Sequence, residues 1–447
     1  MQRTNSKFQV KDISEFKKQL LLWAQQFEIA VWLDSNNYDQ KYSNFDAIMA
    51  VDAVSKMKYS YKNAFSQLKK YQSEVDDYIF GYLGYDLKND VENLTSSNFD
   101  GLHFPDLFFF QPKKLVVIKG NSVEIKYISA FEQEIETDLQ FIRQQPTTFT
   151  LSLSTTLKTG SIEGQQPITN IKIKLRIHKD DYYKKINILL NHIHRGDIYE
   201  ANFCQEFYSE NSVINPVTIY QNLNEISKAP FATFLKLNNN YLLSASPERY
   251  LKKEGENLIS QPIKGTEKRA STKMADEKLI AELEQNPKER AENIMIVDLV
   301  RNDFSRFAIK GSVKVDELCK VYTFEQVHHL ISTVSCLVKN DFHPVDILKN
   351  TFPMGSMTGA PKISAMKIIE ELEETKRGLY SGAVGYFTPN GDFDFNVIIR
   401  SILYNATKKY VSYSVGGAIT AQSIPEKEYE ECLLKAKAMK QVLVNVK

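Results

Sequence analysis

Asn286-Pro-Lys-Glu-Arg-Ala-Glu-Asn-Ile-Met-Ile-Val-Asp-Leu-Val-Arg-Asn-Asp303 opens as a helix and sets two acids, Glu289 and Glu292, three residues apart near its start. Asn286 is a natural N-cap, and Pro287 takes the first helical position, where a missing N–H costs nothing. Glu289 stands three residues after the cap, where it can close a capping box. The helix then runs through Ile294, Met295 and Leu299. A second helix begins near Pro425, and Tyr429, Cys432, Leu433, Ala436, Met439 and Leu443 make one apolar stripe along it. Around these helices, β-rich runs alternate with long helical stretches, and several read as hairpins. That pattern predicts an α+β fold more than a regular βαβ series.

Upstream, a helix is expected over Ile13–Gln26 and strands over Ile29–Leu33 and Leu107–Phe110. In Ile79-Phe-Gly-Tyr-Leu-Gly-Tyr85 the glycines suggest a strand where backbones approach closely. Thr147 to Thr169 turns to Ser, Thr, Gly and Gln, a linker composition. The expected organisation is an amino-terminal region over 1–150, a linker over 151–170 and a catalytic domain over 171–447.

Of the 447 residues, 43% are apolar and 25% charged, the profile of a soluble globular chain. The 56 basic and 55 acidic side chains leave a net charge of +1, which gives no support for a nucleic-acid partner. Met1 to Lys11 is polar and shows no secretory signal, and no apolar run is long enough to span a membrane. Cys204, Cys319, Cys336 and Cys432 lack CxxC spacing and read as buried thiols in a reducing compartment. A cytoplasmic location is expected.

Each acidic helix presents a glutamate pair, Glu289 with Glu292 and Glu428 with Glu431, and Lys435 shares the side of the second pair. Such pairs can hold a hard cation such as Mg²⁺, but acids in a first turn also simply complement the helix dipole. Gly355-Ser-Met-Thr-Gly-Ala-Pro-Lys362 and Gly416-Gly417 are either ordinary turns or cradles for an anion. The spacing of the former is not that of a nucleotide-binding Walker loop. In Ser246-Pro-Glu-Arg249, Glu248 is either half of a salt bridge or a general acid. Lys264, within Pro262-Ile-Lys-Gly-Thr266, is either solvated or, if desolvated, a nucleophile. His192 and His194 diverge on a helix and read as surface residues, and His329 alone says little.

In order along the chain come Gly196-Asp-Ile-Tyr-Glu-Ala-Asn-Phe-Cys-Gln205, SPER, PIKGT, Glu292 to Asp303, His328-His-Leu, GSMTGAPK, Gly382-Ala-Val-Gly-Tyr386, Asn396-Val-Ile-Ile-Arg400 and Pro425 to Glu431. This series resembles the chorismate-binding family of anthranilate, aminodeoxychorismate, isochorismate and salicylate synthases. The resemblance covers nearly all of 180–447 and extends more loosely to Leu33-Asp-Ser35 and Gly81–Asp86. It implies the fold of an anthranilate synthase large subunit: antiparallel β-sheets packed face to face, with helices outside.

The same resemblance implies site roles. Glu292 and Glu431 would be Mg²⁺ ligands, with Glu289 and Glu428 beside them holding metal waters, and the metal would bind the ring carboxylate of chorismate. Glu248 would protonate the departing C4 hydroxyl. Arg400, Tyr380 and the Gly416-Gly417 turn would grip the enolpyruvyl carboxylate. His329 would lie against the ring, and Thr266 and Ser356 would line the site.

Lys264 distinguishes branches. Anthranilate synthases resemble PIAGT here, whereas PIKGT resembles the aminodeoxychorismate branch, in which the lysine adds to ring C2 before ammonia attacks C4. Water-using members carry a lysine where this chain has Glu200, and the usual residue of the amide branch there is glutamine. Ala270 and Ala418 replace glycines common in the family. No cysteine sits in a glutaminase setting, so the resemblance implies a separate glutamine amidotransferase subunit as ammonia source.

Overall fold

The computed structural model describes residues 2–38, 41–146, 171–325 and 327–444. The linker expected over 151–170 lies outside the described residues. Two antiparallel sheets make the framework. In one, Ile29–Asp34 pairs with Ala47–Tyr59 and with Phe231–Leu237, and the order continues through Asn240–Ser246, Ser401–Asn405 and Tyr410–Ile419 to Glu200–Ser209. In the other, Ile79–Leu83 pairs with Ala383–Phe387, followed by Phe393–Val397, Arg249–Glu254, Asn257–Gln261 and Val327–Leu337. The long strand Leu107–Lys119 joins them, since its start pairs with Ile79–Leu83 and its whole length with Ala47–Tyr59. Strands from before residue 150 are thus hydrogen-bonded to strands from after 170.

Alternation along the strands explains the layering, because neighbouring side chains point to opposite faces of a sheet. Ile29 and Val31 join Leu235, Phe108, Val384 and Phe395 in a core between the sheets. Ala30 and Trp32, one residue out of phase, join Phe234 and Ile402 in a second core. That second core is covered by helices, through Leu20, Tyr220 and Met439. Burying each such large side chain stabilises the fold by roughly 1.5–3 kcal/mol. The sheets therefore face one another with helices outside. Gly81 allows the closest approach, since a Cβ there would lie 2.0 Å from the Phe108 carbonyl oxygen.

The expected elements are present, with shifts in detail. The first helix spans Ile13–Trp23 and tightens into a 3-10 turn over Ala24–Gln26. In the Pro287–Ser305 helix the buried apolar face is Ile296, Val297, Val300 and Phe304, while Ile294 is exposed. In the Pro425–Val444 helix, Leu433 is 41% exposed and leaves the stripe, whose buried side instead includes Val442. Ala270 and Ala418 both lie outside the set of positive-φ residues, so alanine meets no backbone strain at either place. Among the described residues, no helix is long and apolar enough to cross a membrane.

Candidate active site

The Pro287–Ser305 helix is anchored by its cap and by its middle. Asn286 Oδ1 accepts from the N–H groups of Lys288 and Glu289 at 3.0 and 3.2 Å. The N–H of Asn286 is spent on the Leu283 carbonyl, so Glu289 does not close a capping box. Farther on, Asn293 donates to the carbonyl of Leu330 at 3.4 Å and accepts from Ser332 Oγ, which fixes the helix to the Val327–Leu337 strand. Glu292, one residue earlier, is buried. Its Oε1 has no hydrogen-bond partner among the described residues.

The strand Ile263–Lys268 runs beside this helix, with Lys264 opposite Leu330 and Thr266 opposite His329. Its register breaks at Gly265, whose φ of +75° suits glycine. A Cβ on Gly265 would lie 3.1 Å from Glu289 Oε2, so this acid packs on the lysine-bearing strand. Lys264 Nζ donates to Glu200 Oε1 at 3.2 Å. Burial acts to lower the Lys264 pKa, but the charges of Glu200, Glu292 and Glu248 outweigh it and the pKa is raised.

Glu248 lies at the head of the Arg249–Glu254 strand and is 4% exposed. Burial pushes its pKa up to about 7, against a hydrogen bond from Ser356 and the charge of Lys264. The guanidinium of Arg249 is turned to Asp394, at 3.0 and 3.2 Å. Ser356 sits in the 3-10 turn Gly355–Met357, and Asn202 Nδ2 holds its carbonyl at 2.8 Å. Lys362 of the same motif is structural, paired with Asp303 at 2.6 Å.

His329 Nδ1 lies 2.9 Å from Thr266 Oγ1 and 3.2 Å from the Gly265 carbonyl. A carbonyl only accepts, so we assign the ring proton to Nδ1 and leave Nε2 as an acceptor. Burial, then the charge of Arg400, drive the His329 pKa down to about 3, so the ring is neutral. Arg400 has φ +51°, and its guanidinium has no hydrogen-bond or ion-pair partner among the described residues. Burial lowers its pKa, while Tyr380 and Glu431 act in the other direction. An unpaired guanidinium in a recess is a site for a carboxylate. Tyr380 is buried beside it, its hydroxyl 3.7 Å from Cys204 Sγ.

Gly416 and Gly417 do not form a turn. They lie within the strand Tyr410–Ile419, opposite Cys204 and Phe203. A Cβ on Gly416 would stand 2.3 Å from the Phe203 carbonyl oxygen. At Gly417 it would meet Glu428 Oε2 at 3.5 Å and Glu431 Oε1 at 3.7 Å, so this glycine opens the strand toward the acids.

Two lysines divide the acid cluster. Lys288 Nζ is 3.8 Å from Glu292 and 3.7 Å from Glu428, and Lys435 Nζ is 2.6 Å from Glu431. Burial raises the pKa of Glu289 and of Glu428 and carries that of Glu292 to about 7. Burial acts the same way on Glu431, but Lys435 pulls its pKa below the ordinary value. Among the described residues, no group of three or more His, Cys, Asp or Glu side chains is placed to hold a metal ion. The four carboxylates are instead held by Lys288 and Lys435, with Glu292 Oε1 ion-paired at 3.8 Å but not hydrogen-bonded, so a hard cation would reach them only by displacing these ammonium groups.

All thirteen expected site residues therefore fall in one neighbourhood. Three contributors were not foreseen in their roles: Glu200 as the partner of Lys264, and Lys288 and Lys435 as internal cations. The i,i+4 spacing of Lys288 with Glu292 and of Glu431 with Lys435 is the signal that pointed to the lysines. His192, half-buried, bonds Asp197 at 2.7 Å away from this site. A separate cavity of about 720 Å³, lined in part by Tyr42, Lys252, Lys310 and Cys336, holds none of these residues.

Comparison with known proteins agrees with this geometry. The family model described as chorismate binding enzyme matches residues 28–441. The aminodeoxychorismate synthase component 1 of Bacillus subtilis is 33% identical over 81% of this chain and 76% of its own length. The anthranilate synthase component 1 of Thermus thermophilus is likewise 33% identical, with the same coverage. The chain spans 71% of an anthranilate synthase component I-like protein from Synechocystis, at 35% identity, but only 41% of the aminodeoxychorismate synthase of Arabidopsis thaliana. Among solved structures, anthranilate synthase component I from Streptococcus pneumoniae superposes with a TM-score of 0.76 at 25% identity, covering 90% of this chain and 94% of that one. With a chorismate-binding model matched over most of its length, and the acids, lysine and arginine of that site gathered in one cleft, this chain belongs to the chorismate-binding enzyme family.

Proposed function

We propose that the chain aminates chorismate at C4 with ammonia to give 4-amino-4-deoxychorismate. Relatives named aminodeoxychorismate synthase are the more common, but the Bacillus subtilis aminodeoxychorismate synthase component 1 and the Thermus thermophilus anthranilate synthase component 1 are equally identical to this chain, so identity alone does not choose the branch. Lys264 carries the reading. It is an amine held among Glu200, Glu248 and Glu292, where PIAGT sequences have an alanine that cannot attack.

Arg400 takes the enolpyruvyl carboxylate through charge-assisted hydrogen bonds, with Tyr380 beside it. Neutral His329 packs against the ring and offers Nε2 as an acceptor, while Thr266 and Ser356 line the pocket. Glu292 and Glu431, with Glu289 and Glu428 beside them, would hold Mg²⁺. When bound, that ion supplies Lewis-acid polarisation and charge neutralisation at the ring carboxylate. Lys264 Nζ forms a bond to C2 as the C4–O bond breaks, and Glu248 protonates the leaving hydroxyl. Ammonia then bonds to C4, the C2–Nζ bond breaks, and the lysine departs as an amine.

The ammonia comes from a separate glutamine amidotransferase subunit. All four cysteines of this chain are buried and free, and burial raises every thiol pKa, to about 12 for Cys204 and Cys336. None is a reactive thiolate of the kind a glutaminase needs. Four buried free thiols fit a reducing cytoplasm, where the product would feed 4-aminobenzoate and folate synthesis.

Lys264→Ala tests the reading. It should slow aminodeoxychorismate formation strongly and, by recreating the alanine of the other branch, leave at most slow ammonia attack at C2. Formation of aminodeoxychorismate at the parent rate would overturn the covalent route.

A further inference from the structure

Glu200 belongs to the strand Glu200–Ser209, is 1% exposed, and meets Lys264 Nζ through Oε1 at 3.2 Å. Its other oxygen, Oε2, is buried and has no hydrogen-bond partner among the described residues. A buried carboxylate with one oxygen unpaired is held at a cost, so this group is under-satisfied as it stands beside the lysine. The charged groups facing Lys264 are Glu200, Glu248, Glu289 and Glu292, and Glu431 from the second acidic helix. Of these, Glu200 alone, among the described residues, is within ion-pair distance of Nζ. An amine attacks only through its lone pair, yet this lysine rests as an ammonium, so a proton must leave Nζ before the C2 bond forms.

We propose that Glu200 is the acceptor of that proton, working as an internal base for Lys264. The proton passes from Nζ to the Glu200 carboxylate, the neutral amine bonds to C2, and the C4–O bond breaks with a proton from Glu248. When ammonia bonds to C4, the lysine leaves as a neutral amine and recovers its proton from Glu200. The C4 ammonium returns one proton to Glu248, so the turnover closes on chorismate and ammonia giving product and water. A glutamine at this position, the residue usual in the amide branch, hydrogen-bonds the lysine but takes no proton. The inference rests on the covalent reading above.

The test is the rate at which chorismate with Mg²⁺, in the absence of ammonia, forms an adduct on the Lys264 peptide. Mass spectrometry follows it in the parent chain, Glu200→Gln and Glu200→Asp. The ratio of variant to parent cancels titrations that both share, such as that of Glu248; the charge of Glu200 raises the pKa of Glu292, and Glu200→Asp keeps that charge and controls for it. In Glu200→Gln the proton must go to solvent, so the ratio should rise about tenfold per pH unit from about pH 5.5 to about pH 7, below the usual lysine range. Glu200→Asp, which keeps a carboxylate, should hold the ratio flat. A flat ratio in Glu200→Gln, or a rising one in Glu200→Asp, overturns the role of Glu200. No adduct in the parent chain instead defeats the covalent reading itself, and this proposal with it.

Discussion

Lys288 and Glu428 stand 3.7 Å apart across two helices, so an ammonium from the first acidic helix reaches the buried carboxylate of the second. The same ammonium is 3.8 Å from Glu292. Without that charge, Glu428 would lose its ion-pair partner, while Lys435 would still hold Glu431 at 2.6 Å. A divalent ion entering here would compete with Lys288 for the same oxygens.

The first prediction concerns that ion. Glu292→Gln replaces an anionic donor, whose buried Oε1 has no hydrogen bond and only the 3.8 Å ion pair with Lys288, by a neutral amide. Mg²⁺ should raise the melting temperature of the parent chain and leave the variant's unmoved, because a ligand stabilises only the state that binds it. Turnover should fall by about 10²-fold or more, since several kcal/mol of charge stabilisation is lost. An equal Mg²⁺ shift in both chains would remove Glu292 from the metal site.

Glu248 sets the second. Its pKa of about 7 keeps it protonated below neutrality, so kcat/KM should decline by about tenfold per pH unit above that point. The direction follows from a raised carboxyl pKa: the active, protonated form persists to higher pH and disappears as pH passes through 7. Glu248→Gln should lose about 10²-fold in rate and lose this limb of the profile. A variant that keeps the limb would assign it to another group.

How much of this was legible before the structure depends on the distance over which residues cooperate. The cap at Asn286 and the acids three apart are local patterns that spacing exposes, whereas Lys264 stands out only through the resemblance of PIKGT to the aminodeoxychorismate branch. Glu200 is 64 residues from Lys264, and only the fold brings them to 3.2 Å. Where two local explanations competed, only the fold chose between them. Glu289 satisfied the spacing of a capping box, yet the Asn286 N–H is already bonded and the acid packs on Gly265 instead. Gly416-Gly417 looked like a turn, but it lies in a strand whose partner backbone leaves no room for a side chain at Gly416, while Gly417 faces the acids at ordinary contact distance.

That pair of glycines yields a third prediction. Gly416→Ala forces a Cβ to within 2.3 Å of the Phe203 carbonyl and 2.5 Å of Cys204 Sγ, so it should destabilise by about 1–3 kcal/mol or more. Gly417→Ala meets nothing closer than 3.5 Å and should fold normally while crowding Glu428 and Glu431. Chemical denaturation separates the two variants. Equal stability losses would contradict the geometry.

Arg400 gives the fourth. Its guanidinium lacks a partner among the described residues, so Arg400→Gln should leave stability unchanged or slightly higher while weakening chorismate binding. Loss of a charge-assisted contact of about 1.5–3 kcal/mol corresponds to a 10- to 10²-fold rise in KM. Thermal melts and initial rates read the two effects independently. A large stability loss with KM unmoved would make Arg400 a structural cation.

Product identity is the most direct test of the whole account. The purified chain is incubated with chorismate, Mg²⁺ and ammonium, and the mixture is separated by chromatography with mass detection. The expected product is 4-amino-4-deoxychorismate, with its enolpyruvyl group retained and no pyruvate released. Anthranilate accompanied by pyruvate would contradict it.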